Sequence, residues 1–178
     1  MTHVPALAAG AEDVAPRRSL VLAGGGMRVA WQAGALIALE EAGLRFAHAD
    51  GTSGGTMNLA MLLSGLAPGE MAERWRTLDV RRFAAPLSPR RMLRLPAFGA
   101  STGIVGHVFP HLGVDPAAIR AAEGLEGTFN TCNHATKACE AIGHRDIDLD
   151  ALVAAITLPL AMPGVHRPGG TYLDAVWV

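Results

Sequence analysis

Two glycine-rich turns, "AGGGMR" (Ala23–Arg28) and "GTSGG" (Gly51–Gly55), stand close together early in the chain and constrain its fold more than anything else in it. Each follows a short run suited to a strand and precedes a stretch suited to a helix. "SLVLA" (Ser19–Ala23) reads as a buried strand, and "MRVAWQAGALIALEEAG" as a helix whose apolar residues Val29, Ala33, Leu36, Ile37 and Leu39 lean to one side, stopped by Gly43. "LRFAHAD" reads as a second strand, "TMNLAMLLSGLA" as a second helix, and "PGEMAERWRTLD" as a third with Pro68 in its first turn. A strand–glycine–helix unit used twice predicts a parallel sheet covered by helices.

Downstream, "VRRFAAPLSPRRMLRLP" is basic and proline-broken, while "GLEGTFNTCNH" and "ATKACEAIG" are expected to return as strands. "DIDLDALVAAITLPLAMPGV" opens like an acidic helix start, and "TYLDAVWV" reads as a final strand that is still apolar where the sequence stops. The 178 residues suit one domain, 50% of them are hydrophobic and 17% charged, and disorder is excluded as the main state. A formal charge of −1 gives no footing for nucleic acid. No apolar run reaches the roughly 18 residues of a membrane span, and the opening lacks the pattern of a signal peptide. Residues 1–18 are expected to be a flexible leader. With only two cysteines, a reducing cytoplasm is the expected setting.

At a tight turn between strand and helix, the apex residue is pushed into the open, and Ser53 occupies that apex. This is the nucleophile-elbow geometry of G-x-S-x-G, in which Gly51, Thr52, Gly54 and Gly55 are the small flanks that let strand and helix approach. The upstream turn, Gly24, Gly25, Gly26, Met27 and Arg28, offers converging backbone N–H groups suited to a developing oxyanion. Nucleotide binding fits less well, since G-x-G-x-x-G requires glycine where Val29 stands, and no phosphate-cradling G-x-x-x-x-G-K-[ST] occurs. A serine also needs a base. One candidate set is a triad drawing on Asp146, Asp148 or Asp150 and then His166. The other is a carboxylate acting directly, Asp174, at the end of the "TYLD" strand.

In order along the chain, "VLAGGGMR", "GTSGG" and "YLDAV" resemble the three motif blocks of the patatin-like phospholipases. "LPLAMPGVHRPGGTYLD" is similar to that family's proline-rich approach to its aspartate. The resemblance implies a three-layer α/β/α sandwich with a mainly parallel central sheet over residues 19–178, continuing in the family beyond the last strand seen here. It implies a Ser53–Asp174 dyad, an oxyanion hole around Gly25, Gly26 and Met27, and lipid acyl-ester hydrolysis with no metal or cofactor. Arg28 is expected to brace the glycine turn, with contact to a lipid phosphate as the alternative. The sequence departs from the family's pattern at Val29 and Ala175, where glycine is usual, so a lipid-binding relative without activity is the alternative expectation, beside a His166 esterase.

Other features carry less. Cys132, His134, Cys139 and His144 match no common zinc spacing and are expected to be core cysteines with surface histidines. "DIDLD" lacks the glycine and glutamate of a calcium loop and is expected to open a helix. Ser88 to Gly106 mixes arginines with apolar residues, which suits an ordinary cap or peripheral contact with anionic lipid. Trp31 and Trp75 are expected to be packing residues.

Overall fold

The computed structural model describes residues 18–82, 85–86 and 99–177. The expected leader, apart from Arg18, lies outside them. The first unit folds as strand β1 (Ser19–Leu22), the glycine turn, a 3-10 turn over Gly26–Val29 and helix α1 (Ala30–Glu41). The second is β2 (His48–Thr52) followed at once by α2 (Gly54–Leu63). Every residue of α2 is buried, as befits a helix apolar on nearly all sides, and it packs on β1, β2 and α3 (Pro68–Thr77). Pro68 begins α3 at the position where its missing N–H costs nothing.

A small antiparallel pair, β3 (Ala85–Pro86) with β4 (Gly99–Ala100), precedes a π-helical turn over Ile104–Val108 that runs into α4 (Phe109–Leu112). Residues 88–98 of the proposed lipid-facing segment lie outside the described residues. Of its remainder, Ile104 is fully buried in the core, while Val105 is partly exposed. Helix α5 (Pro116–Arg120) leads to β5 (Glu126–Asn133) and β6 (Cys139–Gly143). Helix α6 (Leu149–Ala155) is capped by Asp148, whose Oδ1 accepts from the Ala151 amide at 2.7 Å, so the "DIDLD" acids do open a helix. The chain closes with β7 (Val165–Arg167), β8 (Gly170–Asp174) and a 3-10 turn over Ala175–Trp177.

The main sheet is mixed, in the order β1-β2-β5-β8-β7, with β6 also paired to β5 and helices on both sides. The expected parallel part is β1-β2-β5, built by the two early units. Pairs β5–β6 and β7–β8 are antiparallel because their connections are too short for a crossover helix, and β8 also meets β5 antiparallel.

Strand β5 outlasts β2. On one edge it pairs with β2 from Glu126 to Asn130, where Thr52 is the last partner. On the opposite edge it pairs with β6 from Thr128 to Cys132. The edge that β2 vacates is taken over by β8, with Thr131 opposite Asp174, Cys132 opposite Leu173 and Asn133 opposite Tyr172. Strand β8 therefore runs head-on toward the end of β2, and its last residue meets the turn at Ser53.

Several local expectations change. "TYLDAVWV" is a strand only to Asp174, after which Val176 donates its amide back to the Asp174 side chain and the chain coils into the 3-10 turn. Trp31 is 68% exposed and so is no packing residue, whereas Trp75 is buried. Cys139 is exposed, contrary to the core position expected, and His144 is buried, with Nδ1 accepting from the Gly127 amide at 3.1 Å. The β5–β6 ladder puts Cys139 at the edge, while His144 turns under β5.

Candidate active site

Ser53 is the non-helical residue between β2 and α2, with φ 55° and ψ −128°, and contrary to the open position expected it is buried. A side chain at positive φ is disfavoured by roughly 1–3 kcal/mol, and such strain is retained where surrounding packing leaves no alternative. That packing is visible at its neighbours. A Cβ on Gly55 would overlap the Leu22 carbonyl oxygen, so the first turn of α2 can lie on the end of β1 only if residue 55 is glycine. A Cβ on Gly24 would sit 2.8 Å from Ser53 Cβ and 3.4 Å from its Oγ, which sets the glycine turn directly against the serine. Gly51 lies under Leu59 and Thr56, and the Thr52 hydroxyl accepts from Asn130 Nδ2 at 3.1 Å, tying the elbow to β5.

The second turn closes with the Arg28 amide donating to the Gly25 carbonyl at 3.3 Å, and Arg28 Nε reaches the same oxygen at 3.5 Å. Arg28 thus lies along the outside of the turn with an exposed side chain. The amides of Gly26 and Met27 precede this closure, and those of Gly54 and Gly55 open α2. N–H groups in such first turns have no carbonyl one turn behind them and favour negative charge. Val29 replaces the usual glycine without opening the site. It is fully buried, and its methyl carbons fill the space next to Gly25 and Gly54.

Asp174 has no solvent exposure. Its amide donates to the Thr157 carbonyl at 3.0 Å, and its Oδ1 accepts from the Val176 amide at 3.0 Å. Oδ2 is buried with no hydrogen-bond partner. Burial pushes its carboxyl above the usual carboxylate range, opposed by the Ser53 hydroxyl and, after it, by the Val176 amide. The chain leaves Asp174 without positive φ at Ala175, so no glycine is demanded there.

The other sequence candidates do not converge on Ser53. His166 is exposed, opposite Thr171 in the β7–β8 ladder, and its Nδ1 is 2.9 Å from the Thr171 hydroxyl. Thr171 precedes Asp174 by an odd number of residues, so strand alternation puts His166 on the other face of the sheet. Asp148 caps α6 and pairs with Arg167 at 3.1 Å; Asp146 and Asp150 are exposed. Among the described residues no three His, Cys, Asp or Glu side chains gather as metal ligands.

The sequence reading missed Gln32 and Asn58, polar side chains buried behind the glycine turn with hydrogen bonds to Ala23 and Val29. The signal was available: Asn58 is an amide inside the apolar run "TMNLAMLL", and a buried amide has to find partners.

The fold is an α/β sheet with helices on both sides, a strained serine between strand and helix, and a buried carboxylate at the end of the strand that meets that turn. More particularly, the family pattern for patatin-like phospholipase matches residues 20–178, and the chain belongs to that family. Among solved structures it is similar to VipD from Legionella pneumophila, with a TM-score of 0.62, 12% identity, and coverage of 91% of this chain and 46% of that one. It is also similar to a chain of full-length SpcU in complex with full-length ExoU from the type III secretion system of Pseudomonas aeruginosa, with a TM-score of 0.50, 18% identity, and coverage of 82% and 39%. At these identities the likeness is one of fold, and the chain spans less than half the length of either. No curated protein matches the sequence.

Proposed function

We propose that this protein hydrolyses lipid acyl esters through a Ser53–Asp174 dyad, without a metal or cofactor. The observation that carries the reading is the handover along β5, Thr52 opposite Asn130 and Asp174 opposite Thr131, which brings a buried carboxylate to the strained serine. Membership of the patatin-like phospholipase family supports a lipid ester as the substrate class.

In this mechanism Asp174, through its unpaired Oδ2, takes the Ser53 proton as Oγ attacks the ester carbonyl. A carboxylate whose pKa is raised by burial is a better proton acceptor than an ordinary one. The carbonyl oxygen, gaining charge, is held by amides around Gly25, Gly26 and Met27 with help from the α2 terminus, a contribution typically worth several kcal/mol of barrier. The alcohol leaves with the proton from Asp174, giving an acyl-Ser53. Water, deprotonated by the same carboxylate, then releases the fatty acid and regenerates the serine.

A triad through His166 has no support in the face on which that side chain lies. A non-catalytic lipid-binding role rested on Val29 and Ala175, and Val29 is accommodated within the site while Ala175 needs no unusual backbone. The lipid contact proposed for Ser88 to Gly106 is a separate question; among the described residues no helix is long and apolar enough to cross a membrane.

The test is ester turnover and fluorophosphonate labelling of the wild type, Ser53→Ala, Asp174→Asn and His166→Ala. The dyad predicts that the first two substitutions abolish turnover and the third leaves it intact. A fully active Asp174→Asn, or a wild type that neither labels nor cleaves short and long acyl esters, would remove the reading.

A further inference from the structure

A chain of buried side-chain hydrogen bonds runs from α3 to the glycine turn. Trp75 Nε1 donates to Asn58 Oδ1 at 2.7 Å, and Asn58 Nδ2 donates to Gln32 Oε1 at 2.8 Å. Gln32 Nε2 then donates to the Ala23 carbonyl at 2.8 Å, while Asn58 Nδ2 also reaches the Val29 carbonyl at 3.0 Å. All three side chains are buried. Ala23 and Val29 immediately flank the segment Gly24–Arg28, so the two amide side chains grip that turn at both ends.

The direction of the chain is set at its far end. An indole N–H only donates, so Trp75 obliges Asn58 to turn its oxygen outward and its NH2 group toward Gln32 and Val29. Asn58 in turn obliges Gln32 to aim its NH2 group at Ala23. A flipped amide at either position would set two acceptors, or two donors, against each other. Apolar residues at Gln32 and Asn58 would leave the buried Trp75 N–H without an acceptor and the Ala23 carbonyl without this donor, so the three side chains work as one connected set. What they add is placement. Asn58 lies on α2, the helix that begins at Ser53, and the contact of Gly24 with Ser53 leaves the turn little freedom to shift without misaligning the two. A bond accepted at the Ala23 carbonyl also polarises the peptide that carries the Gly24 N–H.

We propose that Gln32 and Asn58, oriented by Trp75, are positioning residues that hold the amide-bearing glycine turn in register with Ser53. The proposal rests on the acyl-hydrolase reading for its catalytic consequence, but not for its structural one. The variants are Gln32→Met, which keeps the length and removes both polar ends, and Trp75→Phe, which removes the orienting N–H.

Two measurements decide it. By hydrogen exchange, the Arg28 amide, which closes the glycine turn on the Gly25 carbonyl, should exchange about tenfold faster in the variants, with the core amides of α2 unchanged. In kinetics, kcat should fall about 10- to 100-fold with KM for a short acyl ester unchanged, and affinity for a trifluoromethyl ketone should fall in parallel. Unchanged exchange in the glycine turn overturns the proposal. So does a loss of activity explained by fewer fluorophosphonate-reactive molecules with kcat per reactive site unchanged, since that is a folding effect. If the wild type itself is inert, the hydrolase reading falls and the exchange data alone decide whether the clamp exists.

Discussion

Asp174 stands opposite Thr131 on the same edge of β5 that Thr52 occupies one position earlier, opposite Asn130. Two strands from opposite ends of the chain share one edge of a third, and the point where they meet is the turn at Ser53. The separation of serine and carboxylate is therefore set by the ladder of β5 rather than by any loop, and sheet register is strongly specified wherever a face is buried.

In the proposed mechanism the pH dependence of activity follows from the state of Asp174. It must be ionised to accept a proton, and burial raises its pKa. The acid limb of kcat/KM should therefore lie above the value near 4 of a free aspartate. A pH–rate profile whose acid limb stays at the ordinary value would contradict this.

The same shift makes Asp174 a cost to the fold. Below both pKa values the carboxyl is neutral in the native and unfolded states, and burial carries no charge penalty. Between the unfolded and native pKa the native state binds more protons, so stability falls as pH rises through that window. Above it the native state bears the whole penalty. Asp174→Asn should melt at a higher temperature than the wild type at neutral pH, the gap closing as the pH drops below the carboxylate range, read by thermal melts across pH.

Glycine substitutions should divide sharply by position. Gly55→Ala drives a methyl into the Leu22 carbonyl and should destabilise by more than about 3 kcal/mol or prevent folding. Gly34→Ala, in the middle of α1 with nothing near its added carbon, should stabilise by about 0.5–1 kcal/mol. Urea denaturation of the two variants compares them directly.

The cap of α6 gives a smaller effect. Asp148→Ala removes the acceptor for the Ala151 amide and the partner of Arg167, and should cost about 1 kcal/mol. Asp148→Asn, which keeps the cap, should lose less, and the exposed Asp150→Ala only a few tenths. Equal losses for Asp148→Ala and Asp150→Ala in chemical denaturation would refute the assignment of the cap.

Much of the site was legible because its parts are local. An elbow needs small residues at fixed offsets from its apex, and Gly51, Ser53, Gly54 and Gly55 declare that spacing in five letters. The glycine turn before α1, the Pro68 helix start and the acidic opening of α6 are likewise short-range requirements of the backbone. The exposed Trp31 and the buried His144 were misread for the complementary reason: a single residue's burial depends on what packs over it, and no periodicity near either residue records that.

The amino-acid order by itself determined the two strand–glycine–helix units, the serine turn between strand and helix and the aspartate at the end of a late strand, since each is fixed by sterics within a few residues. Only the tertiary structure decided that β5 would outrun β2, that β8 would enter antiparallel on the vacated edge, and that Gln32, Asn58 and Trp75 would join behind the glycine turn. Those relationships depend on strand lengths and helix packing summed over the whole sheet, where the favourable contacts come from residues far apart in the chain.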